Sequence, residues 1–280
     1  MALLLALLLL GGIHANLPTD ADIAAHVADA IRARLHPASV EVHVTRCSSW
    51  STTLEHLDIT IGGFSADQLP LGAAPSPATV QPMPVALPMD EGPQPRASRD
   101  MRIKDAHIVC RDFTLKSLPV QELVLDLHEV RLPMECLSSG SFSIAAAESV
   151  GGSLLLRQQA LTQYLRGRGD LPIKSPEVFI TPDGCRVKGT YHMLVPVPVE
   201  VTGRIIRNGQ AQLCLENPHI KVSVVTLTKG MTRNLLKSVN PLVDLNTDFR
   251  LPAPLTITGV THRAGGLQLD MALQFPMPEK

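Results

Sequence analysis

Aromatic side chains are scarce in this chain: six Phe, two Tyr and one Trp make up 3% of it, although 45% of its residues are apolar. The interior must therefore be built from Leu, Val, Ile, Ala and Met. Such aliphatic side chains are deformable enough to line a space for acyl chains, and they pack equally well into an ordinary core. An excess of one charge is also missing. With 25 basic and 26 acidic residues the formal charge is −1, and no Lys/Arg cluster or stripe occurs, which excludes nucleic acid as an expected partner. Cysteine is sparse and widely spaced. Cys47, Cys110, Cys136, Cys185 and Cys214 form no C-x-x-C pair, so neither a disulfide framework nor a zinc site is expected. One or two bridges can still form in an oxidising compartment, and buried thiols acting as small hydrophobes account for most of them.

Catalytic motifs are absent as well. There is no G-x-S-x-G, no glycine-rich phosphate loop ahead of a helix and no H-E-x-x-H, so the chain is expected to be neither an enzyme of those classes nor a cofactor protein. The ten histidines fall singly, several on the polar phase of a strand, as His43 and His192 do. Asp20 and Asp22 open a helix, where they favour its dipole, and Asp90 and Glu91 lie among prolines. Thr226-Leu227-Thr228-Lys229 is a nominal T-x-x-K, but its threonines serve equally well to cap the helical pattern that follows.

No apolar run reaches the roughly 20 residues that span a bilayer. What stands at the start is shorter: an apolar stretch from Met1 to Leu10, then Gly11-Gly12-Ile13-His14-Ala15. This is the apolar region and small-residue cleavage pattern of a secretory signal over 1–15, although its basic leading segment is missing. Export to the periplasm or the outer face of the cytoplasmic membrane is the expectation. The first cysteine, Cys47, lies too far on for a lipoprotein attachment.

What is present is mostly periodicity. After Thr19 and Asp20, either of which can cap a helix, Ile23, Val27, Ile31 and Leu35 recur every four residues before Pro37. Val40, Val42 and Val44, then Leu57, Ile59 and Ile61, alternate with polar residues and predict a strand pair. From about 66 to 98 the chain carries eight prolines between Pro70 and Pro95, which predicts a loop or insertion interrupting one domain that spans 16–280. Beyond it, strands are predicted from Met101 toward Leu115, through Leu123, Leu125 and Leu127 with a slip at Val130 and Leu132, and through Phe142, Ile144 and Ala146. A short helix covers Gln158 to Arg166. The longest ladder runs from Cys185 through Val187, Gly189, Tyr191, Met193, Val195, Val197, Val199 and Val201, with Pro196 and Pro198 outward, so it is two strands joined by a bend or an edge. Asn208-Gly209 turns into Ala211, Leu213 and Leu215. Met231, Leu235, Val239 and Leu242 recur at helical spacing, and two more strands, joined through Gly265-Gly266, close the chain. Successive strands joined by tight turns predict an α+β fold with a strongly curved, largely antiparallel sheet covered by two or three amphipathic helices.

The second half is also familiar as a pattern. Gly152-Ser153-Leu154-Leu155-Leu156, a short helix reaching Tyr164-Leu165, a hairpin through Asp183-Gly184 and Gly189-Thr190-Tyr191, Val239-Asn240-Pro241-Leu242-Val243-Asp244-Leu245, Leu251-Pro252-Ala253-Pro254-Leu255 and Gly259-Val260 follow in order. In this the chain resembles the LmeA family of bacterial exported phospholipid-binding proteins over roughly residues 100 to 276, with weaker likeness in the first helix and in Ile59 to Phe64. The Pro-rich stretch is not part of that pattern. The resemblance implies an envelope-side domain that binds phospholipid or a related amphiphile, makes peripheral membrane contact and serves envelope lipid or glycolipid biogenesis. It also implies kinship with tubular lipid-binding folds, in which a curved sheet wraps a helix and leaves an apolar groove.

The resemblance carries over no binding residues. From the chain's own pattern the candidate lining residues are Val195, Val197 and Val199 of the long ladder and Met231, Leu235 and Leu236 of the later helix, and plain core packing is the alternative for each. The competing function is a non-catalytic envelope scaffold with a closed core, whose Pro-rich loop meets a protein partner. An enzyme is third, and would need the fold to bring a group such as His192 to a carboxylate.

Overall fold

The computed structural model describes residues 19–47, 53–66, 71–73, 100–133, 142–192, 196–222, 230, 233, 235–236, 239–246 and 254–277. The leader at 1–15 and most of the Pro-rich stretch lie outside these residues. Helix α1 (Asp20–Leu35) begins at Thr19, whose hydroxyl accepts from the Asp22 N–H while the Asp22 carboxylate accepts from the Thr19 N–H, a reciprocal cap. Its stripe of Ile23, Val27, Ile31 and Leu35 lies on the core, beside β1 (Ser39–Arg46). As the alternation predicts, β1 pairs antiparallel with β2 (Thr53–Gly62).

The remaining strands are β3 (Ser65–Ala66), β4 (Leu71–Ala73), β5 (Asp100–Leu115), β6 (Leu118–Pro133), β7 (Phe142–Ile144), β8 (Ser149–Arg157), β9 (Ile173–Thr181), β10 (Gly184–His192), β11 (Pro196–Asn208), β12 (Gln212–Val222), β13 (Val243–Asp244), β14 (Leu255–Arg263) and β15 (Gly266–Leu273). Helix α2 (Gln158–Gly167) follows β8 and buries Ala160, Leu161, Tyr164 and Leu165 against β9, β6 and β8. Gly230, Arg233, Leu235, Leu236 and Val239 are helical too.

Two features correct the sequence reading. The strands form two large sheets in place of one curved sheet: β1-β2-β5-β6-β8-β15-β14, with β3 on β5, and β13-β12-β11-β10-β9. The first sheet, largely antiparallel as expected, is also mixed. β2 and β3 run parallel to β5, and β4 runs parallel to β7, inside a mainly antiparallel arrangement. The physical reason is the long connection between Ala66 and Asp100: a parallel partner needs a crossover far longer than a hairpin turn, and this one supplies it. The predicted strand through Ala146 stops at Ile144, and Ala146 makes only an isolated bridge to Arg131.

The first sheet is curled into a half-barrel, and the bend is visible in the burial pattern of its longest hairpin. Inward-facing residues on β5 skip from Ile103 to Ala106 and from Cys110 to Phe113, and those on β6 skip from Val120 to Leu123 and from Leu127 to Val130. The skips face each other across the register, Ile103 opposite Val130 and Cys110 opposite Leu123. One residue at each level, Glu129 (φ 49°) or Asp112 (φ 48°), takes the left-handed conformation that such a slip requires. The slip at Val130 was legible in the sequence. The other slip in β5, after Cys110, was hidden by the continuous apolar run Ile108-Val109-Cys110. Curling also brings β8 hard against β6, where a Cβ on Gly152 would collide with the Val124 carbonyl oxygen and lie 2.8 Å from Leu125 Cδ2.

Both sheets and both helices feed one continuous cluster of buried side chains, including Ile103, Leu125, Leu156, Val201, Ile205, Leu235, Ile257 and Leu267. The sheets meet along a seam where β11 outruns β10. Pairing with β10 ends at Gly203, so the backbone beyond it lacks a strand partner on that side, and β14 takes over. The Ile205 N–H donates to His262 Nε2 at 3.0 Å, and Arg207 Nη1 donates to the Ile257 carbonyl at 2.8 Å. The Ile257 N–H donates to Gln210 O at 2.7 Å, and the Gly265 N–H to Ile180 O at 3.0 Å. Because Nε2 of His262 accepts, the ring hydrogen sits on Nδ1, which is buried and has no partner. Burial, and then the nearby Arg204 charge, hold His262 below the ordinary histidine value of 6.5.

Two predictions follow from the bend and the seam. Gly152→Ala is expected to cost about 1–3 kcal/mol by overpacking, whereas Gly151→Ala, whose added Cβ would meet nothing within 4 Å, keeps full stability; urea midpoints of the two variants separate these outcomes. For His262 the unfolded chain binds the proton more tightly than the folded one, so this group's contribution to stability falls as pH drops below 6.5 and levels off below the depressed folded value. His262→Phe should therefore be less stable than wild type at pH 8, because Ile205 loses its acceptor, yet lose less stability between pH 8 and pH 5.5. Equal acid sensitivity of the two proteins would refute the assignment.

Candidate functional site

The second sheet presents two chemically opposite faces, and its register assigns each residue to one of them. Paired residues in an antiparallel ladder share a face. One set of rows runs Val178–Val187–Val201–Ile220, then Gly189–Val199–Val222, then Ile173–Tyr191–Val197. The other runs Glu177–Lys188–Glu200–Lys221 and Phe179–Arg186–Thr202–His219. On that outer face Arg186 and Lys188 lie 3.5 and 3.9 Å from the Glu200 carboxylate, and the Lys188 ammonium stands 5.5 Å above the Phe179 ring. The three rows of the inner face are aliphatic apart from Gly189 and Tyr191, and the next row adds Cys185 and Gly203.

Exposure along the inner face is graded. Val187, Val201, Ile173, Val178 and Ile205 are buried, Val201 completely. Tyr191, Ile220 and Val222, at the far end of β10 and β12, are only half-buried, and so is Leu236 of the helical segment. The face is buried over most of its rows, and its partly uncovered end, where β10 and β12 stop at His192 and Val222, is its mouth.

Of the candidate lining residues, Val197 and Val199 are buried on this inner face at 5% and 3% exposure, and Leu235 is buried at 1%. Val199 and Leu235 belong to the same buried cluster, and Leu236 packs against it half-exposed. Val195 and Met231 lie outside the described residues, as do the T-x-x-K at 226–229 and Cys136. His192 is described by its backbone alone. Ile220 and Val222 were missed by sequence reasoning because Asn217 (φ 44°) shifts the phase of β12 after Leu215. The alternation Ile220-Lys221-Val222 was the one available signal.

The segment Asn240–Asn246 ties the helical residues before it to β12, and the Asn240 N–H donates to the Leu236 carbonyl at 3.1 Å. The Asn240 side chain both accepts from the Leu215 N–H (2.8 Å) and donates to its carbonyl (3.0 Å), acting as a one-residue strand. Asn246 does the same to Leu255 at 3.1 and 3.3 Å, and so reaches β14. Between them, β13 pairs with Leu213 and Gln212 while Leu242, Val243 and Leu245 are buried. Arg168, just past α2, donates to the carbonyls of Pro241 (2.9 Å) and Leu242 (3.0 Å) and pairs with Asp170, whose carboxyl it holds below the usual range.

Among the described residues of the inner face the only thiol is Cys185. Cys110 and Cys185 are buried, which pushes both thiols up to about 12 and keeps them protonated and inert. Among the described residues no group of three donors is placed to hold a metal. His56 and His128 flank Asp105, and His107 pairs with Asp126, on the exposed side of the first sheet. A half-open aliphatic face, framed by a fixed helical segment and free of reactive groups, is suited to holding a hydrocarbon chain.

The comparison with known families decides the matter. The model of the LmeA-like phospholipid-binding family matches residues 95–272, which takes in β5 through β15 and both faces of the second sheet. The chain belongs to this family. The resemblance carried by Asn240-Pro241-Leu242-Val243-Asp244-Leu245 thus rests on a segment whose visible work in an LmeA-like protein is architectural. No curated protein and no solved structure matches the chain.

Asn240→Ala would strand the Leu215 N–H and carbonyl next to buried side chains, at an expected cost of about 1–3 kcal/mol. Asn240→Asp, which keeps the acceptor and loses the donor, should fall between. Thermal unfolding of the three proteins checks the order, and a fully stable alanine variant would remove the clasp from the account.

Proposed function

We propose that this LmeA-like protein is an exported, non-catalytic phospholipid-binding protein of the cell envelope that takes acyl chains onto the inner face of its second sheet. The observation that carries the proposal is the match of the phospholipid-binding family over 95–272 to a domain whose inner face is aliphatic and uncovered at one end. Val197 and Val199 from β11, with Leu235 and Leu236 from the helical segment, form the lining in this reading, and Val195 and Met231 extend it. The tubular kinship implied by the family enters here in one respect: a curled sheet closed by a helix leaves a longitudinal furrow in which a chain can lie.

The energetics need no polar group for retention. Each buried methylene is worth about 0.8 kcal/mol, so half of a lipid tail already gives several kcal/mol before ordering costs. Export rests on the apolar leader ending at Ala15, and the reading places the protein in the periplasm or at the outer face of the cytoplasmic membrane, where it serves lipid or glycolipid biogenesis. No described helix is long and apolar enough to cross a membrane, and lipid exchange in this reading proceeds by peripheral contact with the bilayer.

Purified mature protein is expected to carry co-purifying phospholipid, detected by native mass spectrometry, and after delipidation to take up phospholipid from liposomes. Val199→Asp, which sets a charge on the lining, should abolish uptake, and circular dichroism must show that it still folds. A folded, lipid-free wild-type protein that ignores liposomes would refute the proposal.

A further inference from the structure

We infer that phospholipid binds tail-inward with its polar end at Tyr191, whose hydroxyl donates a hydrogen bond to an ester or phosphoester oxygen at the mouth of the inner face. The inference rests on the lipid-binding reading above and adds an orientation and a positioning residue to it. The chain has two tyrosines. Tyr164 is buried within α2, whereas Tyr191 stands in the last inner row of the sheet, between Ile173 on β9 and Val197 on β11. Its ring packs against the buried cluster while the residue stays half-exposed. Among the described residues its hydroxyl has no hydrogen-bond partner, and it is not a buried unsatisfied atom either, so it faces water.

Every other described side chain in the three inner rows is aliphatic. A tyrosine there supplies the one group that is apolar along its body and polar at its tip, the combination favoured where hydrocarbon gives way to water. The rows deeper than Tyr191 offer no donor or acceptor side chain, and Val187 and Val201 are buried at 2% and 0% exposure. A charged headgroup placed there would be desolvated without a partner, at a cost no tail contact offsets. The opposite orientation puts hydrocarbon in the depth and the ester oxygens level with the Tyr191 hydroxyl.

The test compares wild type with Tyr191→Phe, which removes one oxygen and keeps the ring. Three probes are titrated: pyrene-labelled phosphatidylglycerol, pyrene-labelled diacylglycerol and pyrenyl dodecane. The variant is expected to bind the two ester lipids roughly three- to tenfold more weakly, the loss of one neutral hydrogen bond, and the hydrocarbon unchanged. Weakening confined to phosphatidylglycerol assigns the contact to the phosphate, and weakening of both assigns it to an acyl ester. Equal affinities of wild type and variant for all three overturn the inference and leave the proposed function standing. A wild type that binds none of them overturns both.

A second measurement needs no variant. Spin-labelled lipid carrying the label at its headgroup should broaden most the methyl signals of Ile173 and Val197, which share the Tyr191 row, and a label at the chain end those of Val187 and Val201. The reverse pattern would refute the tail-inward orientation.

Discussion

The seam between the two sheets is the constraint on which the rest of the structure depends. A twisted sheet that ends against another leaves a row of backbone groups facing the join, and a buried amide without a partner costs as much as several good packing contacts supply. Here β11 runs past the end of β10; His262 takes the Ile205 N–H of its open edge, Arg207 and the Gln210 carbonyl bond the Ile257 backbone of β14, and the Gly265 N–H bonds Ile180 of β9. Without those groups the two sheets would have separate cores. With them, Ile205 and Ile257 pack into one. The same economy explains why neutral imidazole stands at Ile205: an acceptor is needed in a place too dry to favour a cation, and histidine in its uncharged form supplies it.

Periodicity made the strands legible but not their partners. Alternation over Val40–Val44, Leu57–Ile61, Cys185–Val201 and Leu267–Leu273 reports which side of a strand is buried, and those strands stand where expected. It does not report which sheet receives the buried side. The division into two sheets depends on the seam, whose polar contacts at His262, Arg207 and Gln210 are single positions that carry no periodic signature. The parallel pairing of β2 with β5 was equally hidden. The Pro-rich stretch announced a long connection, and such a connection permits a parallel return without requiring it. Phase slips at Asp112, Ser175 and Asn217 mislead a period-2 reading in a characteristic way, since each moves the inward set by one residue and makes a continuous strand look finished.

The candidate site was half legible for a related reason. Val197, Val199 and Leu235 are buried, as their phase predicts, but lining and core look alike in sequence, which is why sequence could not separate them. What distinguishes a lining from a core is the gradient of exposure toward Tyr191, Ile220, Val222 and Leu236, a property of where neighbouring strands stop. The motif that carried the family likeness, Asn240 through Leu245, clasps Leu215 and pairs with β12. Framework positions dominate a family pattern when the ligand is gripped by hydrophobic area, because area can be supplied by many combinations of Leu, Val and Ile, while an amide that clasps one backbone unit admits few substitutes.

The two outer faces bear on how such a protein could trade lipid with a bilayer. Charges there are paired across strands, with Glu200 between Arg186 and Lys188, Asp105 between His56 and His128, and Glu122 beside Arg111. Paired charges give little long-range attraction to an anionic surface, since each cation's field is largely cancelled within a Debye length. Membrane contact driven by electrostatics would require a basic stripe that neither face provides. Contact driven by the apolar mouth requires only that half-buried aliphatic residues replace water with acyl chains. In the proposed reading the surface that meets the bilayer also receives the tail, which makes docking and loading one event and leaves the polar end of the lipid at the water boundary.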